Sequence, residues 1–153
     1  MKFIWISFFL VLSCTEAHHF DERYIHTDSQ EWYDYLSEIG FTDLYLNDTV
    51  LLIIDSILCQ PSEEELKYWN NIYNKTDKNV YLIIVEKHMA TANYLLTYFD
   101  FNFPTMQDYD VLIFDRNLIP FTPLKIYFNS NSKIEQIHTI GSNSWRGDFI
   151  KSQ

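Results

Sequence analysis

Glycine, cysteine and basic residues are all scarce in this chain, and each scarcity excludes a class of protein. There are only three Gly in 153 residues, and no glycine-rich loop is present to cradle the phosphates of a nucleotide or flavin. Lys and Arg number 11 against 21 Asp and Glu, which gives a formal net charge of −10. A nucleic-acid ligand requires a basic surface that displaces counterions. We therefore expect no nucleic-acid partner and no cofactor.

The two cysteines, Cys14 and Cys59, are too few for a disulfide-stapled fold. Cys14 follows Met1-Lys2 and an apolar run over residues 3–13, which fits a secretory signal peptide and is too short to span a bilayer. Val11-Leu12-Ser13-Cys14 resembles a bacterial lipobox, with Val where Leu is usual. The resemblance implies that residues 1–13 are removed and that Cys14 is lipidated, with a palmitate-type anchor. The alternative is an ordinary signal peptide with an incidental cysteine. In that case a Cys14–Cys59 disulfide could form.

The remainder of the chain divides into a polar tether and one domain. Residues 14–29 are polar and are expected to be a flexible tether, and residues 30–153 have the size of a single domain that needs no disulfide. A helix is expected over residues 30–39, a buried strand over 50–57, a helix after Cys59 and a second buried strand over 80–85. Strand, helix and strand at this spacing predict a βαβ unit with parallel strands.

The second half predicts a further helix and a hairpin. Ala90 to Phe99 has helical spacing, and residues 111–114 are expected to be a short strand or an extended segment. Strands over 124–128 and 133–138 flank the turn Asn129–Ser132, which predicts a β-hairpin. A short terminal helix is expected from Trp145 to Ile150.

Cys59 stands where the first predicted strand meets a helix that has Pro61 and three acids in its first turn. The positive end of the helix dipole favours a thiolate at that place. The acids Glu63 to Glu65 act against it, because they put negative charge into the same turn. A disulfide enzyme would keep a second cysteine three residues on, and this chain has Ser62.

Cys59-Gln60-Pro61-Ser62 and Thr122-Pro123, in this order of elements, resemble the thioredoxin-like family over residues 44–153. The resemblance implies an α/β thioredoxin-like fold, with a βαβ unit followed by a helix, a β-hairpin and a C-terminal helix. It also implies that Cys59 is the reactive thiol, that Ser62 replaces the resolving cysteine, and that Pro123 follows a cis bond beside the thiol. Thr122, Gln60 and Pro61 would then contact a bound peptide. Asp55 is the candidate for the family's buried carboxylate, at a shifted position.

Three hypotheses for the function remain open. The signal peptide and the long segment before Thr122 resemble membrane-tethered extracytoplasmic lipoproteins of Bacteroidota, so the first hypothesis is a lipid-anchored monothiol exchange protein of the bacterial envelope. The second is an inert thioredoxin-like module that binds a protein or peptide partner. The third is a lipoprotein domain in which Cys-x-Pro-Ser is chance. No metal site is expected, and the oligomeric state is left open.

Overall fold

The computed structural model describes residues 25, 27–41, 45–75 and 79–141. In chain order these form α1 (Ser29–Glu38), β1 (Thr49–Ile54), α2 (Gln60–Ile72), β2 (Asn79–Val85), α3 (Met89–Phe99), β3 (Thr105–Asp108), α4 (Leu112–Asp115), β4 (Leu124–Phe128) and β5 (Ile134–Thr139). The terminal helix expected at Trp145–Ile150 lies outside the described residues.

The strands form one five-stranded sheet in the order β3-β2-β1-β4-β5. β1 and β2 are parallel, with Leu52 opposite Leu82, which is the pairing that the βαβ prediction requires. β3 continues the sheet in parallel beyond β2, whereas β4 runs antiparallel to β1 and β5 antiparallel to β4. The predicted hairpin is therefore present at the edge opposite β3.

Every side chain of β1 is buried, because helices cover both faces of the sheet. Leu51 and Ile53 pack on one face against Trp32 and Tyr35 of α1. Alternate β1 side chains face the other layer, where Leu66 and Trp69 of α2 and Leu95 and Phe99 of α3 close a second core. A central parallel strand buried on both sides reads as a continuous apolar run, which is why the sequence reveals β1 and β2 so clearly.

β1 ends three residues before its predicted end at residue 57. The chain leaves the sheet at Asp55, whose Oδ1 accepts a hydrogen bond from the Ile57 amide at 2.8 Å. Ile57 is consequently 81% exposed. Of the apolar residues after the strand, Ile57 lies on the surface, whereas Leu58 is partly buried and packs against the second core.

The segment 111–114, expected to be a short strand or an extended segment, instead begins the helix α4, with Val111 as its N-cap, and the strand of this region lies earlier. Asp108 ends β3 and accepts hydrogen bonds from the amides of Leu112 and Ile113, at 2.9 and 3.0 Å, which fixes the turn of α4. Tyr35 also donates to Asp108, and burial, with the Asp108 charge, raises the pKa of Tyr35. No apolar run marks β3, because three of the four residues of Thr105–Asp108 are polar and the strand lies at the sheet edge.

Within the described residues, no helix is long and apolar enough to cross a bilayer.

Candidate functional site

Cys59 is the N-cap residue of α2, a helix of 13 residues. Its backbone is extended, and its carbonyl accepts the first helical hydrogen bond from the Glu63 amide at 3.1 Å. Pro61 occupies the first turn, where a missing N–H costs the helix nothing. The side chain is half-buried and forms no disulfide with a described residue. The sulfur therefore stands at the positive end of α2, where a negative charge is favoured.

The Ser62 hydroxyl lies next to the sulfur. Cys59 Sγ and Ser62 Oγ are 3.3 Å apart, and Ser62 Oγ donates to the carbonyl of Ile140 at 3.0 Å. A hydroxyl has one hydrogen, so in this arrangement the thiol donates to Ser62. When the thiol ionises, the Ser62 hydrogen can rotate onto the sulfur. The Ser62 hydroxyl then makes a charge-assisted bond of about 1.5–3 kcal/mol to the sulfur in place of a neutral bond of about 0.5–1.5 kcal/mol to the carbonyl, so the exchange favours the thiolate by about 1 kcal/mol.

The backbone of Gly141 packs closely against the first turn of α2, at Pro61 and Ser62. Its φ is +94°, and a Cβ added there would lie 2.9 Å from the Ser62 amide nitrogen and 3.1 Å from the Pro61 carbonyl carbon. Both contacts are backbone atoms that cannot swing away. Only glycine meets both the positive φ and the close approach at this position.

A fully buried ion pair is formed by Glu65, about one turn of α2 after Ser62, and Lys125. Lys125 of β4 donates to Glu65 of α2, and the two side chains are 0% and 1% exposed. The same carboxylate accepts from the Trp69 indole at 3.2 Å and from the Gly141 amide. The three donors engage both carboxylate oxygens of Glu65, which is the condition under which a buried carboxylate is tolerated. Glu65 thereby ties β4, α2 and the Gly141 segment together beneath the thiol.

Asp55 connects the loop before Cys59 to the loop that holds Pro123. Its Oδ2 accepts from Thr122 Oγ1 at 2.6 Å. The Thr122–Pro123 bond is cis, as predicted. Pro123 in turn reaches Ser62 through Ile140, whose amide donates to the Pro123 carbonyl at 3.3 Å while its own carbonyl accepts from Ser62. Cys59, Ser62, Thr122 and Pro123 are thus joined through Asp55 and Ile140 in one cluster.

The remaining predicted site residues take peripheral places. Gln60 is exposed, and its amide donates to Glu64 at 3.0 Å. Pro61 is exposed on one side and lies against Gly141 on the other. Cys14 lies outside the described residues. No group of three or more His, Cys, Asp and Glu residues suited to a metal ion occurs in the described ranges.

The three acids after Ser62 differ in their surroundings. Glu65 is buried and paired with Lys125. Glu63 lies 3.8 Å from Lys67, one turn further along α2, and Glu64 accepts from Gln60. The expected opposition to a thiolate therefore falls mainly on two surface carboxylates, where solvent screens it.

Sequence reasoning missed Glu65, Lys125 and Gly141 as members of the site, and it assigned the buried carboxylate to Asp55. Asp55 is only half-buried, whereas Glu65 is enclosed. Two signals were available. Lys125 interrupts an otherwise apolar strand, and Glu65 shares a helix face with Trp69 four residues on.

Comparison with known proteins assigns the fold. No family model and no curated protein matches the sequence. Among solved structures, an uncharacterized thioredoxin-like protein from Porphyromonas gingivalis aligns with a TM-score of 0.54 and 17% identity, over 73% of this chain and 76% of that one. A putative thiol:disulfide interchange protein DsbE from Chlorobium tepidum aligns at 0.52 and 15%, over 68% and 72%.

A secreted Mycobacterium tuberculosis disulfide oxidoreductase, homologous to E. coli DsbE, aligns at 0.51 and 15%, over 60% of this chain and 69% of that one. At these identities the likeness concerns the fold. The chain has a thioredoxin-like α/β fold, with a five-stranded sheet and its single described cysteine at the start of α2.

Proposed function

We propose that this protein exchanges disulfides through Cys59 as a single thiol, and that it does so in the bacterial envelope. The observation that carries the proposal is the place of the sulfur: the N-cap of α2, 3.3 Å from the Ser62 hydroxyl. The solved structures named above include one protein described as a disulfide oxidoreductase and one described as a putative thiol:disulfide interchange protein, which is support from the fold alone. The substrate class is a protein or peptide that carries a disulfide.

The exchange runs in two displacements. The Cys59 thiolate attacks one sulfur of the partner's disulfide, a Cys59–partner bond forms, and the other partner sulfur leaves as a thiolate that takes a proton from water. An external small thiol then attacks the mixed disulfide at the partner's sulfur. Cys59 leaves as a thiolate, and the partner departs as a mixed disulfide with the small thiol.

Ser62 has a different part from the second cysteine of a dithiol enzyme. Its hydroxyl cannot form a disulfide, so it cannot expel the partner. It can donate to the Cys59 thiolate, because the two atoms are within hydrogen-bonding distance. A thiolate that is stabilised in this way is both a better populated nucleophile and a better leaving group.

A second candidate, an inert module that binds a protein or peptide, is favoured by one observation. The buried carboxylate of α2, Glu65, is held by Lys125, Trp69 and Gly141. A carboxylate engaged by three donors is poorly suited to accept a proton during exchange. The two candidates differ in whether Cys59 reacts faster than an ordinary cysteine.

The envelope location and the lipid anchor rest on Val11-Leu12-Ser13-Cys14. We expect Cys14→Ser to release the protein from membranes when it is produced in a bacterial host. Partitioning between the membrane pellet and the supernatant measures this. If the variant pellets as fully as the parent, Cys14 is not the anchor.

The decisive experiment compares the parent, Ser62→Cys and Cys59→Ser in reduction of a protein disulfide driven by a thioredoxin-type reducing system. We expect the parent to turn over only when a small thiol is added, and to accumulate a mixed disulfide through Cys59 when it is absent. Ser62→Cys should turn over without the small thiol, because positions 59 and 62 are already within disulfide reach. Cys59→Ser is the inactive control.

Two results would count against the proposal. Multiple turnovers by the parent without a small thiol would mean that another group resolves the mixed disulfide. Alkylation of Cys59 no faster than that of a free cysteine at neutral pH, with no mixed disulfide formed, would favour the inert module.

A further inference from the structure

A groove opens beside the reactive cysteine, between the loop before α2 and the surface of α3. Its volume is about 180 Å³. Leu58, Leu95 and Phe99 supply apolar walls, and Glu63, Tyr94 and Tyr98 complete the lining together with Ser56. Leu95 and Phe99 are buried, whereas Tyr94 and Tyr98 are 62% and 49% exposed. The groove thus has a buried apolar floor and an open aromatic rim.

The rim is ordered by contacts of its own. The rings of Tyr94 and Tyr98 stack with centroids 5.8 Å apart, and the Tyr98 hydroxyl donates to Glu63 at 3.4 Å. Small-molecule sites usually enclose about 300–1,000 Å³. A groove of this size is better matched to one large apolar side chain of a polypeptide. Leu58 is the residue before Cys59, so an occupant of the groove lies a few residues from whatever the sulfur attacks.

The charges around the groove are mainly negative. Glu63 lines it, and Glu86 bonds to the lining residue Ser56. Hydrogen bonds from the His88 amide and then from Ser56 lower the pKa of the Glu86 carboxyl, so it is ionised at neutral pH. Lys67 is the cation beside the rim, 5.3 Å over the Tyr98 ring and 3.8 Å from Glu63. None of the lining residues is a cation.

We propose that this groove selects the substrate: it binds an apolar side chain, flanked by Lys or Arg, that lies near the cysteine whose disulfide Cys59 attacks. The apolar walls give the anchor, and the two carboxylates give the preference for a cationic neighbour. The net charge of −10 attracts such a partner at longer range. The proposal rests on the proposed function, since it names the substrate class of the same thiol.

The test uses the full chain with Cys14→Ser, so that Cys59 alone reacts. The probes are short cysteine peptides disulfide-bonded to 2-mercaptoethanol. One carries Leu and Arg beside the cysteine, a second carries Leu and Glu, and a third carries Gly and Arg. The rate of mixed-disulfide formation is followed by mass spectrometry and divided by the rate with bis(2-hydroxyethyl) disulfide, which is too small to use the groove.

We expect the Leu-Arg peptide to react about tenfold faster than the Gly-Arg peptide, the effect of burying much of one Leu side chain. It should exceed the Leu-Glu peptide about threefold at low salt, and that margin should shrink as salt rises. Tyr94→Ser should reduce the preference for Leu, and Glu63→Gln the preference for Arg. Tyr45→Ser is the matched control, because Tyr45 is 74% exposed and precedes β1, at the opposite end of that strand from Cys59.

Failure of this proposal and failure of the proposed function are distinguishable. Equal normalised rates for all three peptides, with ready reaction of the small disulfide, would overturn the groove alone. No reaction with the small disulfide would overturn the exchange function. In that case, binding of the same peptides with Ser in place of Cys, followed through the amide chemical shifts of α3, still decides. Equal affinities for the Leu-Arg and Gly-Arg versions would reject the groove as a binding site.

Discussion

Gly141→Ala tests whether the close approach over the first turn of α2 holds the site in place. The added Cβ would lie 2.9 Å from the Ser62 nitrogen and 3.1 Å from the Pro61 carbonyl carbon. A positive φ costs a non-glycine residue about 1–2 kcal/mol. Forcing extra volume into a packed place costs about 1–3 kcal/mol more. We expect a loss of about 2–5 kcal/mol, a large share of the roughly 5–15 kcal/mol that stabilises a domain.

Gly40→Ala is the matched control. Gly40 also has a positive φ, +101°, but its nearest neighbour is the terminal Cε of Met106 at 2.8 Å, the end of a flexible side chain. The control therefore bears the same backbone strain, about 1–2 kcal/mol, without a rigid clash. The difference between the two variants isolates the approach of Gly141 to α2.

The assays are urea unfolding followed by circular dichroism, and alkylation of Cys59 by iodoacetamide in the folded state. A gap of about 2 kcal/mol between the variants corresponds to roughly 1 M in the urea midpoint. Gly141→Ala should also change the alkylation rate of Cys59, because it displaces Ser62, and Gly40→Ala should leave that rate as it is. Equal midpoints with unchanged alkylation in both variants would refute the reasoning.

Three further predictions concern the contacts around the thiol. Lys125→Met should lower the free energy of unfolding by about 3–5 kcal/mol, because it leaves Glu65 charged and buried. The double variant Lys125→Met/Glu65→Met should lose less stability than the sum of the two single variants. Strictly additive losses in urea unfolding would contradict this prediction. Ser62→Ala should slow alkylation of the thiol at neutral pH about fivefold, the value of about 1 kcal/mol for a charge-assisted hydrogen bond over a neutral one, whereas an unchanged rate would mean that the hydroxyl does not reach the thiolate. Asp55→Ala should cost about 1–3 kcal/mol through its lost hydrogen bonds, and Thr122→Val should add little on top of it; independent effects in a double-mutant cycle would exclude the connection.

The central elements could be predicted from the sequence because a strand that is buried on both faces is a continuous run of apolar residues. After their polar first residues, β1 and β2 are continuous apolar runs, and the α2 face that meets them repeats at helical spacing. β3 has no such run. It is a short polar strand whose place is set by β2 beside it and by Asp108 bonding to α4.

The candidate site divides in the same way. Cys59, Ser62, Thr122 and Pro123 could be found because they lie in short motifs whose order along the chain carries information. Glu65, Lys125 and Gly141 act through contacts 60 to 76 residues apart along the chain. No local pattern tells which lysine meets which carboxylate, so the enclosed ion pair required the tertiary structure.

Trp32 and Trp69 are fluorescent side chains that lie on opposite faces of the sheet. Trp32 lies in the layer of α1, edge-on to Tyr35 and Phe128. Trp69 lies in the opposite layer, with its indole N–H on Glu65. Its emission should therefore respond to events at the thiol that Trp32 does not sense. The chain has two further tryptophans, Trp5 and Trp145. With both of these replaced by Phe, replacing Trp32 or Trp69 as well would let fluorescence follow one layer at a time, and would show whether the layer that bears the thiol opens before the other one unfolds.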